Sequence, residues 1–189
     1  AISVTVSDNV STGNELIFQY TYLTGNYTFT GEFNMYVGGA INVQVGSGTA
    51  ETAGNVPSPI NIYYRSLRGQ MVYTADELLA AGAIPGMPIV QFGFFVVESP
   101  VNPLPNFTLR MKHTTANNVS AHDNGPFTTV YTTPSYHPTA GGWAPITLTT
   151  PFVWNGTDNI LVDSAFAQAS SWSSTGIVRV NNITNGFRY

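Results

Sequence analysis

The sequence predicts an all-β protein: an antiparallel β-sandwich, of jelly-roll or immunoglobulin-like kind, with one short capping helix at about residues 74–81. Three observations carry that expectation. Apolar and polar residues alternate through many short runs, Gly, Pro, Asn and Ser punctuate the chain at short intervals, and only one stretch has the start and stop signals of a helix.

In chain order, "AISVTVS" alternates Ile2, Val4 and Val6 with Ser3, Thr5 and Ser7, which is a strand with one apolar face. The polar spacer "SDNVSTGN" follows. "ELIFQYTYL" then sets Leu16, Phe18, Tyr20 and Tyr22 on one side, and "YTFTGEFNMYV" does the same with Tyr27, Phe29, Phe33, Met35 and Val37. Gly38-Gly39 is a hairpin signal and "INVQV" comes after it, so residues 15–46 are expected to form a three-stranded meander. Residues 46–69 read as loop, with a short strand near Ile62 to Tyr64.

The helix is "YTADELLAAG". Thr74 can cap it, Glu77 can reach back from the third helical position, and Gly82 can end it with positive φ. A helix this short needs a docking surface. Leu78 and Leu79 are expected to cover an open end of the sandwich, with Tyr73 as anchor. The remaining strands are "PIVQFGFFVVE", "NFTLRMKHT", "FTTVYTT", "APITLTT" and "NILVDSAFAQ", followed by the short "GIVRVNN" and "GFRY". The expected organisation is a terminal strand or extension over residues 1–10 and one sandwich domain over residues 11–189.

Composition narrows the function. Charged residues make up 8% of the 189, against about a quarter in an ordinary domain, and six Lys and Arg face ten Asp and Glu. That leaves no basic patch for nucleic acid. No apolar run reaches membrane-spanning length. There is no cysteine, and a chain that begins at Ala1 rather than Met is expected to be a processed, mature form.

Catalytic chemistry needs converging titratable groups. His113, His122 and His137 lack the i, i+4 pairing of a zinc helix, and Asp76-Glu77 belong to the first turn of the helix, where the dipole favours them. "WNGTDNILVD" lacks the acidic density of a calcium loop, so Asn155-Gly156 reads as a hairpin turn. No enzyme activity, metal or cofactor is expected. Exposed aromatics are another matter, because a flat ring with polar edges can stack on a sugar. Trp172, in the polar loop "ASSWSSTG", and Tyr136 are the candidates for such a platform. Six N-x-S/T sequons, at Asn9, Asn26, Asn106, Asn118, Asn155 and Asn182, are candidate glycosylation positions.

From about residue 46 to 168 the order of motifs resembles a β-sandwich domain that recurs in secreted and cell-surface proteins of Bacteroidota, many of them cargo of the type nine secretion route. The matching pieces are "GSGT", "PSPINIYYRSLRGQMVYTADEL", "NFTLRMKHTT", "FTTVYT" and "PTAGGWAPITLTTPFVWNGTDNILVD". The resemblance implies an all-β surface module without catalysis. It implies a core role for Trp143 and Trp154, which fall in the closing motif, and it makes Ser164 in "DSA" a candidate for bacterial O-glycosylation.

The expected function follows from the first strand. "AISVTVS" is neutral, β-branched and free of Pro, hence suited to edge pairing. Folded back on its own sandwich, it would be an ordinary first strand; inserted into a neighbouring copy, it would join subunits head to tail into a filament. The expectation is an extracellular structural protein, the subunit of a surface filament or adhesive appendage. The alternative is a carbohydrate-binding module of a secreted multi-domain protein.

Overall fold

A computed structural model describes residues 15–36, 38–181 and 183–189. The chain divides into two compact units, residues 1–43 and 44–189.

In the first unit, β1 (Glu15–Thr24) and β2 (Tyr27–Tyr36) form an antiparallel ribbon. Gly25, with φ +57°, opens the two-residue turn that joins them. Residues directly opposite share a face, so the register gathers Leu16, Phe18, Tyr20, Tyr22, Phe29, Phe33 and Met35 on one side. Phe18 stacks on Phe33 with centroids 5.0 Å apart, and the Tyr20 ring lies over Gly31, leaving no room there for a Cβ. The expected third strand at 41–45 is not formed; the segment is irregular. From residue 44 the chain serves the second unit instead. Val45 packs against that unit's core, and Asn181 Oδ1 accepts from the Gly48 N–H at 2.8 Å.

The second unit contains β3 (Ala50–Glu51), β4 (Leu67–Tyr73), α1 (Ala75–Ala80), β5 (Pro88–Glu98), β6 (Leu104–Thr114), β7 (Thr128–Tyr136), β8 (Gly142–Val153), β9 (Asn159–Phe166), β10 (Ile177–Val180) and β11 (Phe187–Arg188). One sheet has the order β3-β10-β5-β8 and the other β11-β4-β9-β6-β7. The antiparallel pairs β6–β7, β5–β8, β4–β9 and β3–β10 nest inside one another, and each sheet takes alternate pairs. A long hairpin rolled up in this way is a jelly roll, with β11 added at the β4 edge.

Strands β5 to β9 lie where the alternation predicts them. The "LRGQMVY" strand β4 is new: Leu67 and Met71 face the core, while Arg68 and Gln70 put polar groups on the other face. Ile62 is fully buried, yet it stands in a turn rather than the expected short strand. Ser58 Oγ donating to Gly176 O at 2.9 Å and Asn61 Nδ2 to Gly54 O at 2.9 Å hold that loop in place.

Helix α1 has its capping box: Glu77 N donates to Thr74 Oγ1 at 3.3 Å and Thr74 N to Glu77 Oε2 at 2.9 Å. Gly82 follows with φ +87°. Leu78 is buried in the core, but Leu79 is 47% exposed, so one leucine rather than two docks the helix. Tyr73 anchors the helix start edge-on to Phe92, centroids 6.0 Å apart, and burial holds its hydroxyl pKa well above the usual range.

The two sheets are not filled equally. β10 pairs with β5 only at Val96 and Glu98, and β3 contributes two residues beyond it. The core follows that coverage. Along the inner face of β5, Val96 and Phe94 are buried, while Phe92 is only partly so.

Candidate functional site

The expected assembly residues Ile2, Val4 and Val6 lie outside the described residues, as do the sequons at Asn9 and Asn182. The surfaces that remain are an open sheet edge, an aromatic group and a charged cluster.

The open edge belongs to β5. From Ile89 to Phe94 none of its residues is paired on the side toward β10 among the described residues. It carries no charge and exposes Val90, without the Lys or the bulky cover that usually guards an edge.

The aromatic group is built by two laced loops. Arg65, at φ +58°, sends Nε to Ala169 O at 2.6 Å; Ala169 N donates to Arg65 O at 2.8 Å, and Gln168 N to Ser66 Oγ at 2.8 Å. Those bonds set Tyr63 edge-on between Tyr64 (5.0 Å) and Trp172 (5.8 Å). Trp172 is 64% exposed, and Tyr64 also lines a shallow cleft of about 300 Å³ with Ser66, Leu67, Arg68 and Tyr189. Tyr136 is not part of this surface. It stacks on Phe107 at 4.5 Å with its hydroxyl buried, and burial, helped by Tyr131, pushes its pKa up to about 12. The sequence missed Tyr63 and Tyr64, whose only signal is being adjacent in a loop.

Trp154 is buried and donates Nε1–H to Asp158 O at 2.7 Å. Trp143 corrects the core role that the resemblance implied: it is 52% exposed, edge-on to Phe95 at 5.8 Å. Arg179 lies over the Phe95 ring, 3.8 Å from its centroid.

The charged cluster covers the outer face of the larger sheet. Register sets Gln70, Asp163 and Arg110 side by side on β4, β9 and β6. Asp163 has no exposed side chain. Its Oδ2 accepts from Arg68 Nε (2.8 Å) and Gln70 Nε2 (2.7 Å), and its Oδ1 from Arg110 Nη2 (2.6 Å). Gln70 and Arg68 also bond Asp123 O at 2.7 Å, and Lys112 holds Asp123 Oδ2 at 2.8 Å. That lysine bond, then the Gly125 N–H, keeps the Asp123 carboxyl below the usual range against a small opposing effect of burial. Every anionic oxygen of Asp163 is engaged, so this is a clasp for the loop carrying Asp123 rather than a reactive centre. Among the described residues no three His, Asp or Glu side chains converge as a metal site would require.

Glycosylation candidates divide by access. Ser164 is corrected: it is 1% exposed in a central strand, its hydroxyl facing Gly69 O at 3.5 Å, with no space for a sugar in the folded unit. Asn26, Asn106 and Asn118 are exposed. Asn155 is exposed but occupied: its Nδ2 donates to Asp158 Oδ2 at 2.7 Å and its Oδ1 accepts from the Asp158 N–H at 2.9 Å.

Comparison with family models, curated proteins and solved structures finds no match to this chain.

Proposed function

We propose that the protein is an extracellular structural subunit that assembles with copies of itself by β-strand exchange, Ile2, Val4 and Val6 supplying the exchanged strand. The observation that carries this reading is the unequal filling of the sandwich. The inner strand β5 is paired toward β10 at only two residues, which leaves the rest of that edge unpaired among the described residues, and a free edge is a template for a strand. Two further features support it. Tyr20, Tyr22, Phe29 and Phe33 of the β1–β2 ribbon share one face and are each exposed, and a two-stranded ribbon by itself is marginal in water. The surface carries few charges, so copies brought side by side meet little repulsion. The extracellular setting rests on the motifs shared with Bacteroidota surface domains.

Sedimentation of the full chain beside a chain lacking residues 1–10 tests the assembly. The reading requires large species for the first and folded monomer for the second. Equal sedimentation of the two would overturn it.

A second reading has its own observation, the tied Tyr63–Tyr64–Trp172 group beside the Arg68 cleft. It fits a carbohydrate-binding module, since fixed rings next to hydrogen-bonding groups are what a sugar face needs. Glycan-array binding lost on Trp172→Ala would favour it.

A further inference from the structure

The strand-exchange reading leaves open where the incoming strand lies, and the hydrogen-bonding parity of β5 answers that. Gly93 stands opposite Pro145 of β8. Proline has no N–H, so this pair does not exchange hydrogen bonds across the β5–β8 ladder. The Val96 carbonyl, which accepts from Gly141 N at 2.8 Å on the β8 side, has the opposite parity. Gly93, and with it Gln91, therefore turns its amide and carbonyl toward the open side, where no described residue's backbone meets them. Two such residues form a ladder site about five residues long, from Val90 to Phe94.

The side chains around the site fit the same vacancy. Phe92 and Phe94 face the core on one side of the pleat, and Phe92, Ile89, Tyr73 and Val180 are only partly buried. Gln91 and Gly93 face outward. The glycine itself answers to β8, whose Ala144 O and Pro145 Cα would lie 3.0 and 3.3 Å from a Cβ placed there. An occupant must therefore be an uncharged strand of about five residues, apolar at alternate positions and small and polar between them. Residues 2–6, "ISVTV", have that pattern: Ile2, Val4 and Val6 would extend the core row beside Phe92 and Phe94, and Ser3 and Thr5 would flank Gln91 and Gly93.

We propose that the open edge of β5, from Val90 to Phe94, is the acceptor groove for residues 2–6 of a neighbouring copy, with the backbones of Gln91 and Gly93 as its hydrogen-bonding positions. This rests on the strand-exchange reading and gives it a location. Whichever way the incoming strand runs, Ser3 or Thr5 falls beside Gln91.

The chain has no cysteine, so introduced thiols report without background. The full-length double variants Ser3→Cys/Gln91→Cys and Thr5→Cys/Gln91→Cys change exposed or polar positions, and melting temperatures matching the parent confirm their folding. Each is treated with a short bismaleimide and run on a denaturing gel, with the single variants as controls. The expected result is a ladder of covalent dimers and longer chains in at least one double variant and none in the controls. Linkage confined to monomers, located by mass spectrometry of the linked peptide, would give the groove to the chain's own strand and overturn both the neighbouring partner and the assembly reading. No linkage in material that still sediments as large assemblies would overturn the groove alone. No linkage and no assembly would overturn both.

Discussion

Gly93 lies directly across from Pro145, each lacking what a strand residue normally offers its neighbour: one a side chain, the other an amide hydrogen. The pair gives β5 a polarity, with bonds to β8 made from the even-numbered residues and unused groups turned toward the side that β10 leaves early. The proposed strand exchange depends on that asymmetry.

Blocking the edge should stop assembly without harming the fold. Val90 is exposed at the rim, so Val90→Lys sets a charge where an incoming strand must lie. The unfolding free energy in urea should stay within about 0.5 kcal/mol of the parent, since surface substitutions rarely cost more. Sedimentation should show the large species gone. A lysine variant that assembles normally would contradict the edge's role.

The two leucines of α1 should behave differently. Leu78→Ala removes a buried side chain and should cost about 3 kcal/mol in urea unfolding, whereas Leu79→Ala should cost little. Thr74→Ala removes the cap and should cost about 1 kcal/mol.

Asp163→Asn should destabilise strongly, by about 3 kcal/mol, because Arg68 and Arg110 then share a site with no counter-charge beneath them. Proteolysis should report the consequence locally, with cleavage in the loop near Asp123 appearing before global unfolding. Uniform susceptibility along the chain would contradict the clasp.

Acid should release part of the same clasp. The Asp123 carboxyl titrates below its ordinary value of 3.8 in the folded state, so its contribution is complete above about pH 4 and is lost as pH falls through the lowered value. The pair is partly exposed, so the contribution is at most about 1 kcal/mol. Thermal melts at pH 5 and pH 2.5 should show a smaller drop for Lys112→Met than for the parent. Equal drops would remove Lys112 from the account.

Most of the fold was legible because the larger strands alternate cleanly. β4 was not, since Arg68 and Gln70 serve the buried polar clasp and mask the pattern of Leu67 and Met71. Trp143 was legible in principle: with Ala144, Ile146 and Leu148 inward, alternation turns Trp143 outward, and the motif resemblance obscured this. Tyr136 was misjudged because its neighbours are polar while its own ring packs on Phe107. The open edge could not be read at all, as no local pattern says how far β10 accompanies β5. Its only trace was a glycine and a proline in mid-strand.

Electron microscopy of the purified full-length chain at assembling concentration is the most direct test of the central claim. The account predicts fibres whose axial repeat is one subunit, absent from preparations of Val90→Lys and of the chain lacking residues 1–10. A field of separate, uniform particles of single-chain mass at every concentration would contradict it.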